Sequence, residues 1–146
     1  MNFYDMVSPY IVVVIISWTL SHLLKYFIEC LKSGKRDFFK TLFSSGGMPS
    51  SHTATVVSLT TVIGLIDGFN SAIFGLSALF SIIVMYDATK VRRSSGEQGE
   101  VLHKIIEAMK LGSKKPYLAK GHTPVQVFVG AIFGILVGYI VFITTL

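Results

Sequence analysis

The sequence predicts an all-α integral membrane protein, a bundle of about four transmembrane helices with one amphipathic helix at the membrane interface. Of its 146 residues, 51% are hydrophobic and only 14% are charged, whereas a soluble domain usually carries about a quarter charged residues. The apolar residues also lie in long runs, and residues 69–86 and 125–146 contain no charged side chain. Runs of about 18 or more such residues can cross a bilayer as helices.

Breaks in these runs divide a single domain, residues 1–146, into five helices. We predict transmembrane helices at residues 7–31, 50–66, 69–89 and 124–146. The first is longer than a signal peptide and lacks its basic start, so we expect it to be retained. The fifth helix, at residues 97–111, is amphipathic because its apolar residues recur at helical spacing. Those apolar residues are Val101, Leu102, Ile105, Ile106 and Met109.

The net charge of +5 comes from basic residues in two loops. The positive-inside rule then predicts that both loops are cytoplasmic and both termini lie outside, with the plasma membrane as the expected location. This loop bias explains the charge without a nucleic-acid partner. A phosphate-binding site would also gather cations, so topology and binding both remain open as causes. The loop cations are Lys32, Lys35, Arg36 and Lys40 in the first loop, and Lys90, Arg92, Arg93, Lys104, Lys110, Lys114, Lys115 and Lys120 in the second.

Residues 46–52, Gly-Gly-Met-Pro-Ser-Ser-His, have the composition of an anion-binding helix start. The two glycines permit close approach of the backbone, and Ser50 or Ser51 is a good N-cap. Free N–H groups and the positive end of the helix dipole attract phosphate. His52, in the first turn, could donate a proton to a ligand bound there. The structural alternative is a plain capped helix with an interfacial histidine.

A second helix start lies at residues 120–126, Lys-Gly-His-Thr-Pro-Val-Gln. We predict Thr123 as N-cap, Pro124 as the first helical residue and Gln126 as the third, which together form a capping box. His122 precedes this helix, and taken alone it is either structural or catalytic. Two glycine-associated helix starts, each with a histidine, on the side of the basic loops favour an oxyanion ligand. They also favour acid or nucleophile chemistry at phosphorus.

Between these motifs, residues 85–93 read Met-Tyr-Asp-Ala-Thr-Lys-Val-Arg-Arg. Asp87 follows a long apolar run, where an acid is costly unless it has a partner or a task. Arg92 or Arg93 could bind phosphate through two parallel N–H groups. In the alternative interpretation, both arginines face anionic lipid headgroups.

The three motifs Gly-Gly-Met-Pro-Ser-Ser-His, Tyr-Asp-Ala-Thr-x-Val-Arg-Arg and Gly-His-Thr-Pro together resemble the divergent branch of the type 2 phosphatidic acid phosphatase superfamily. That superfamily also includes acid phosphatases and vanadium-dependent haloperoxidases, and the resemblance covers nearly the whole chain. It implies a phosphohistidine mechanism that needs no metal and no cofactor. In this mechanism one histidine attacks phosphorus and another protonates the leaving alcohol.

Carried over to this sequence, the resemblance implies that His122 is the nucleophile and His52 is the acid. Gln126 stands where the family has an acid that orients the nucleophile, and Asp87 is the candidate to replace that acid. Ser51 stands where the family has glycine, and no Ser-Arg pair precedes His122 at the expected distance. The implied phosphate-binding residues are Lys25, Gly47, Ser50, Ser51, Arg92, Arg93 and Gly121.

The function expected from this resemblance is a membrane phosphatase for a lipid phosphate monoester or diphosphate, which would approach from the cytoplasmic leaflet among the membrane lipids. The alternative is a non-catalytic lipid-phosphate-binding or scaffold protein on the same frame. A vanadate haloperoxidase is a third and more distant reading, since those enzymes are generally larger and soluble. Gly130, Gly134 and Gly138 form a face of small residues that permits close helix packing. That face would serve either within the monomer or in a homodimer.

Overall fold

The computed structural model describes residues 7–33, 46–110, 112–118 and 121–145. In these ranges the regular structure is helical and contains no strand, which confirms the all-α prediction. The helices are α1 (Pro9–Ser33), α2 (Ser51–Ile66), α3 (Ala72–Tyr86), a π-helical turn (Asp87–Val91), α4 (Arg92–Ala108) and α5 (Pro124–Thr145). Most of the first basic loop, like Leu111 and Lys120, lies outside the described residues.

Three helical segments are long and apolar enough to cross a membrane. They are α1, the continuous helix from α3 to α4, and α5, whereas α2 is a shorter apolar helix of 16 residues. The chain is therefore an integral membrane protein with several apolar helices. The count of four membrane crossings stays a prediction, because it depends on α2.

Helices α1 and α2 run antiparallel. The Tyr10 hydroxyl at the start of α1 donates a 2.7 Å hydrogen bond to Asp67 at the end of α2. Between these ends, Val13 packs against Val62, and α5 adds Val137 and Val141 to the same core. Buried positions recur every four residues along α1, which gives the helix one inward face. That face consists of Val13, Ser17, Ser21 and Lys25.

Helix α5 runs parallel to α2 in close contact through the glycine face. A Cβ atom at Gly130, Gly134 or Gly138 would lie 2.6 to 2.8 Å from a backbone oxygen of α2. Only glycine allows this approach. The face therefore packs within the chain, and a homodimer through the same glycines would first require α2 to leave it. The three oxygens belong to Ser50, Ala54 and Ser58.

Helix α3 contacts α2 through hydroxyl groups. The Thr60 hydroxyl lies 2.9 Å from that of Ser81 and 3.2 Å from the Ser77 carbonyl oxygen. The helix begins at Ala72, later than the predicted residue 69, because the Ser71 side chain caps it by accepting from the Phe74 N–H. Most of the other α3 side chains are exposed, as expected for a helix that faces lipid.

The largest difference from the predicted elements is the absence of a break between α3 and α4. We expected a helix that ends at residue 89 and an amphipathic helix over 97–111, but the chain stays helical from Ala72 to Ala108. No proline interrupts these residues, and the π turn absorbs the one change in helical register. Helix α4 therefore begins at Arg92 rather than at Glu97.

The segment after α4 returns along that helix and delivers His122 to the π turn. The His103 imidazole makes a 2.8 Å hydrogen bond with the Pro116 carbonyl oxygen. The Leu118 side chain packs on Gly99, and Gly121 lies against the Arg93 backbone. This packing places the starts of α2 and α5 and the end of α3 at the same end of the bundle.

Candidate active site

His122 is held at the end of α3 by its own backbone. Its N–H donates to the Ala88 carbonyl oxygen at 2.9 Å, and Ala88 lies in the π turn. The histidine is buried, with 8% of its surface exposed. This main-chain hydrogen bond joins the segment before α5 to the π turn and fixes the position of the His122 backbone.

The capping box predicted for α5 is confirmed. The Gln126 N–H lies 3.4 Å from the Thr123 hydroxyl, and the Thr123 N–H donates to Gln126 Oε1 at 3.0 Å. The same Oε1 lies 3.2 Å from His122 Nδ1. A backbone N–H can only donate, so the atom facing it must be the amide oxygen. Nδ1 must then donate to that oxygen, which leaves the lone pair of the neutral imidazole on Nε2.

His52 occupies the first turn of α2, beside the start of α5. The Ser50 N–H donates to the Gln126 carbonyl oxygen at 3.2 Å and ties the two helix starts together. Ser50 is the N-cap of α2, but its side chain makes no capping hydrogen bond. The N–H groups of this first turn have no acceptor within the helix. They are therefore suited to receive the oxygen atoms of an anion.

Both histidines line one small cavity of about 40 Å³ at this end of the bundle. Its walls come from the loop before α2, from α2, from the end of α3 with the π turn, and from the segment before α5. The cavity thus brings together four of the residues predicted for the site, His52, His122, Asp87 and Arg92. The remaining lining residues are Gly46, Val84 and Ala88.

Asp87 does not take the predicted role of orienting His122. Its Oδ2 lies 2.6 Å from Arg92 Nε, and Gln126 orients the imidazole instead. In a regular α-helix, residues five apart point in different directions, but the wider π turn brings them closer to one face. The π turn therefore pairs Asp87 with Arg92 at the cavity wall.

Lys25 lies behind this cavity, on the inward face of α1. It is 3% exposed. A Cβ at Gly47 would lie 2.7 Å from Lys25 Cε and 2.7 Å from Glu29 Oε1, so Gly47 is close to both side chains. The φ angle of Gly47 is +85°, in the region that favours glycine. Gly47 and Lys25 are thus neighbours, although neither lines the cavity itself.

Four other residues predicted to bind phosphate do not line the cavity. Arg93 faces away from it and pairs with Glu97 at 3.1 Å, because consecutive residues of a helix point about 100° apart. Gly121 packs on the Arg93 backbone. Ser50 and Ser51 are buried, and neither is among the residues that line the cavity.

Burial lowers the pKa of His122 below its usual range, since the apolar surroundings disfavour the charged ring. The Gln126 hydrogen bond partly offsets this effect, and the nearby positive charges of Lys25 and His52 add to it. A hydrogen bond with the Gly47 backbone also favours the protonated ring. The net direction is a lowered pKa, which favours the neutral form of the imidazole.

Two wall residues, Val84 and Ala88, carry no sequence signal of their own. Ala88 contributes its carbonyl group, and any residue supplies that group. The Ala88 carbonyl group can accept from His122 because it lies in the π turn, and no sequence pattern in residues 85–93 predicts that turn. Gly46 was recognisable as one of two adjacent glycines before a helix, and its φ of +88° agrees with that feature.

The fold and the cavity together define an all-helical membrane protein with a two-histidine site at one end of its helix bundle. The model of the divergent PAP2 family matches residues 6–137, and the chain belongs to this family. The chain is also similar to a protein described as the uncharacterized membrane protein YuiD of Bacillus subtilis. The identity is 38% over 131 residues, which cover 80% of this chain and 82% of that protein. No solved structure matches the chain.

Proposed function

We propose that this protein is a membrane phosphatase that hydrolyses a lipid phosphate monoester or diphosphate through a phosphohistidine intermediate. The observation that carries the proposal is that His52 and His122, from two different helix starts, line the same cavity together with Arg92. Membership in the divergent PAP2 family supports the same class of chemistry.

In the first step His122 acts as the nucleophile. Its Nδ1 proton is held by Gln126, so the Nε2 lone pair attacks phosphorus and the bond from phosphorus to the leaving oxygen breaks. His52 enters this step as the imidazolium and gives its proton to that oxygen, which leaves as an alcohol. Hydrogen bonding by the Gln126 oxygen stabilises the positive charge that develops on His122.

In the second step water attacks the phosphohistidine. Neutral His52 removes a proton from the water as its oxygen bonds to phosphorus. The bond between phosphorus and Nε2 breaks, and the electron pair returns to His122. Inorganic phosphate leaves, and His52 is again an imidazolium. His52 therefore acts as the acid in the first step and as the base in the second.

The negative charge of the phosphoryl group needs fixed positive partners. Among the described residues, Arg92 is the cation in the cavity wall, and the N–H group of His52 lies at the same wall as a neutral donor. Lys25 adds a buried positive charge behind Gly47. Such partners stabilise the transition state most when they are already in place before reaction.

The position of the cavity favours a lipid substrate. It lies at the end of a bundle whose outer surface is apolar, with α3 exposing residues such as Leu76, Leu79 and Phe80. A headgroup in the cavity would leave its hydrocarbon chains in the bilayer. The excess of Lys and Arg near this end supports a site that faces the cytoplasm, in the plasma membrane.

The direct test is phosphate release by the purified protein in lipid nanodiscs without added divalent ions. Phosphatidic acid, phosphatidylglycerophosphate and a polyprenyl diphosphate are suitable substrates. We expect release from at least one of them, and we expect that His122→Ala abolishes it. His103→Gln is the control, because His103 lies on α4 away from the cavity and glutamine can still donate a hydrogen bond to the Pro116 carbonyl oxygen. Equal release by wild type and His122→Ala would disprove the mechanism.

A non-catalytic protein that binds lipid phosphate is the second candidate. The observation that favours it is Gln126, because an amide stabilises a developing imidazolium less than a carboxylate does. This candidate predicts that phosphatidic acid binds without phosphate release and that binding survives both His52→Ala and His122→Ala.

A further inference from the structure

The ion pair between Asp87 and Arg92 lies in the wall of the candidate site rather than on a remote surface. Arg92 Nε and Asp87 Oδ2 are 2.6 Å apart, and both residues line the cavity with the two histidines. The described part of the chain places no other arginine in that wall, since Arg93 pairs with Glu97. The guanidinium that would bind phosphate is therefore engaged by a carboxylate.

This contact is one that an incoming anion can displace. The side chains of Arg92 and Asp87 are 50% and 36% exposed, and ion pairs with such exposure are weak because water screens them. A phosphate oxygen would compete for the same guanidinium, which binds phosphate and carboxylate oxygens with the same geometry. A phosphoryl group bound to Arg92 would also be repelled by the negative charge of Asp87.

We infer that Asp87 is a placeholder anion that competes with incoming anions for Arg92 and thereby weakens anion binding at the cavity. The inference rests on the proposed function, because it assumes that the cavity receives a phosphoryl group. Its consequence concerns occupancy by membrane lipids. A membrane surrounds the site with phosphodiester headgroups, which carry a single negative charge. Because Asp87 weakens anion binding at Arg92, it keeps these abundant headgroups from filling the cavity.

The placeholder depends on the π turn. The turn brings Asp87 and Arg92, five residues apart, to one wall. Every anion that binds Arg92 must displace the same carboxylate, so the displacement lowers the affinity of the site for all of them. In this account Asp87 limits the anion affinity of the site and is not a proton donor.

The test measures binding and needs no turnover. Inorganic phosphate is titrated into the purified protein in neutral nanodiscs at pH 8, with wild type, Asp87→Asn and Glu97→Gln. Glu97→Gln makes the same chemical change in the Glu97–Arg93 pair, outside the cavity. We expect Asp87→Asn to bind phosphate about tenfold more tightly because a competing charge is gone. We expect Glu97→Gln to match wild type.

A second measurement addresses the diester lipids. In nanodiscs rich in phosphatidylglycerol, Asp87→Asn should lose most of its phosphate binding, since the diester headgroup now occupies Arg92, whereas wild type should be little affected. Arg92→Gln tests whether the tighter phosphate binding of Asp87→Asn depends on the Arg92 guanidinium. In the Arg92→Gln background, Asp87→Asn should no longer tighten phosphate binding. Equal melting temperatures of the variants establish that they are folded.

The outcomes separate the two proposals. Phosphate binding by Asp87→Asn that equals or falls below wild type would overturn the placeholder, and the phosphatase proposal would stand if His122-dependent turnover is present. Tighter binding by Asp87→Asn without turnover by wild type would keep the placeholder and exclude the phosphatase. Tightening that persists in the Arg92→Gln background would also overturn the placeholder.

Discussion

The amide oxygen of Gln126 lies 3.2 Å from Nδ1 of His122 and at the same time accepts from the Thr123 N–H at 3.0 Å. One side chain therefore caps α5 and sets the tautomer of the imidazole. The superfamily that the sequence resembles is expected to have an acid at this position. Here a neutral amide leaves the lone pair of the neutral imidazole on Nε2, but it gives the positively charged ring less support than a carboxylate would.

Gln126→Glu should move the pH dependence of the reaction. A carboxylate beside His122 favours the imidazolium and raises its pKa, by about one unit or more. Attack requires the neutral ring, whose pKa burial lowers in the wild type. The acidic limb of kcat/KM should therefore lie below about pH 6.5 in the wild type and at higher pH in the variant. The measurement is a pH profile of phosphate release.

Gln98→Glu is the control for this substitution, because Gln98 contacts Ser94 on α4 and is exposed. Its pH profile should overlay that of the wild type. A Gln126→Glu profile that also overlays the wild type would mean that the ionisation of His122 does not govern the acidic limb.

His52→Asn should slow hydrolysis in a manner that depends on the leaving group. An alkoxide needs a proton as it leaves, so loss of the acid should reduce kcat for phosphatidic acid by about 10² to 10⁴-fold. p-Nitrophenolate leaves without help, so hydrolysis of p-nitrophenyl phosphate should fall by much less. His103→Asn serves as the control. A similar loss with both substrates would assign His52 to binding instead of proton transfer.

Gly134→Ala should destabilise the bundle. The new Cβ would lie 2.6 Å from the Ala54 carbonyl oxygen, a backbone atom that cannot move without shifting α2. Overpacking of this kind costs about 1–3 kcal/mol and outweighs the gain of about 1 kcal/mol in helix propensity. We expect a lower Tm in detergent. Gly75→Ala is the matched control, since nothing lies within 4 Å of its Cβ, and its Tm should be unchanged or higher.

Single cysteines should reveal the sidedness. In a Cys30→Ser background, Asn70→Cys lies in the turn before α3 and Ser113→Cys lies after α4, and both positions are exposed. A membrane-impermeant thiol reagent on intact cells should label Asn70→Cys alone, because the basic segment after α4 is expected in the cytoplasm. Labelling of both positions, or of Ser113→Cys alone, would contradict this topology.

Much of this fold was predictable because membrane helices are specified by composition over long windows. The uncharged runs before Tyr86 and after Pro124 have few alternatives in a bilayer. The capping box at Thr123 and Gln126 was also predictable, since it depends on residues within one helical turn. The start of α4 was not predictable, because the chain remains helical from α3 into α4 and no local sequence signal marks the boundary.

The parts of the site that sequence reasoning missed follow from the π turn. Such a turn adds one residue to a helical turn and rotates all later residues about the axis. Arg92 consequently faces the cavity while Arg93 does not. The sequence alone did not decide which of the two arginines would face the site. The same turn directs Asp87 to Arg92. The Ala88 carbonyl oxygen in this turn accepts from the His122 N–H, a contact between residues far apart in the sequence that local propensity does not predict.

The central claim is that His122 carries the phosphoryl group during turnover, and trapping that intermediate tests it most directly. Protein incubated with phosphatidic acid labelled with ³²P in its phosphate is quenched in base, where phosphohistidine is stable, and digested. We predict a label that is lost in acid, maps to the peptide containing His122 and is absent from His122→Ala. Turnover by the wild type without such a label, or the same label in His122→Ala, would contradict the account.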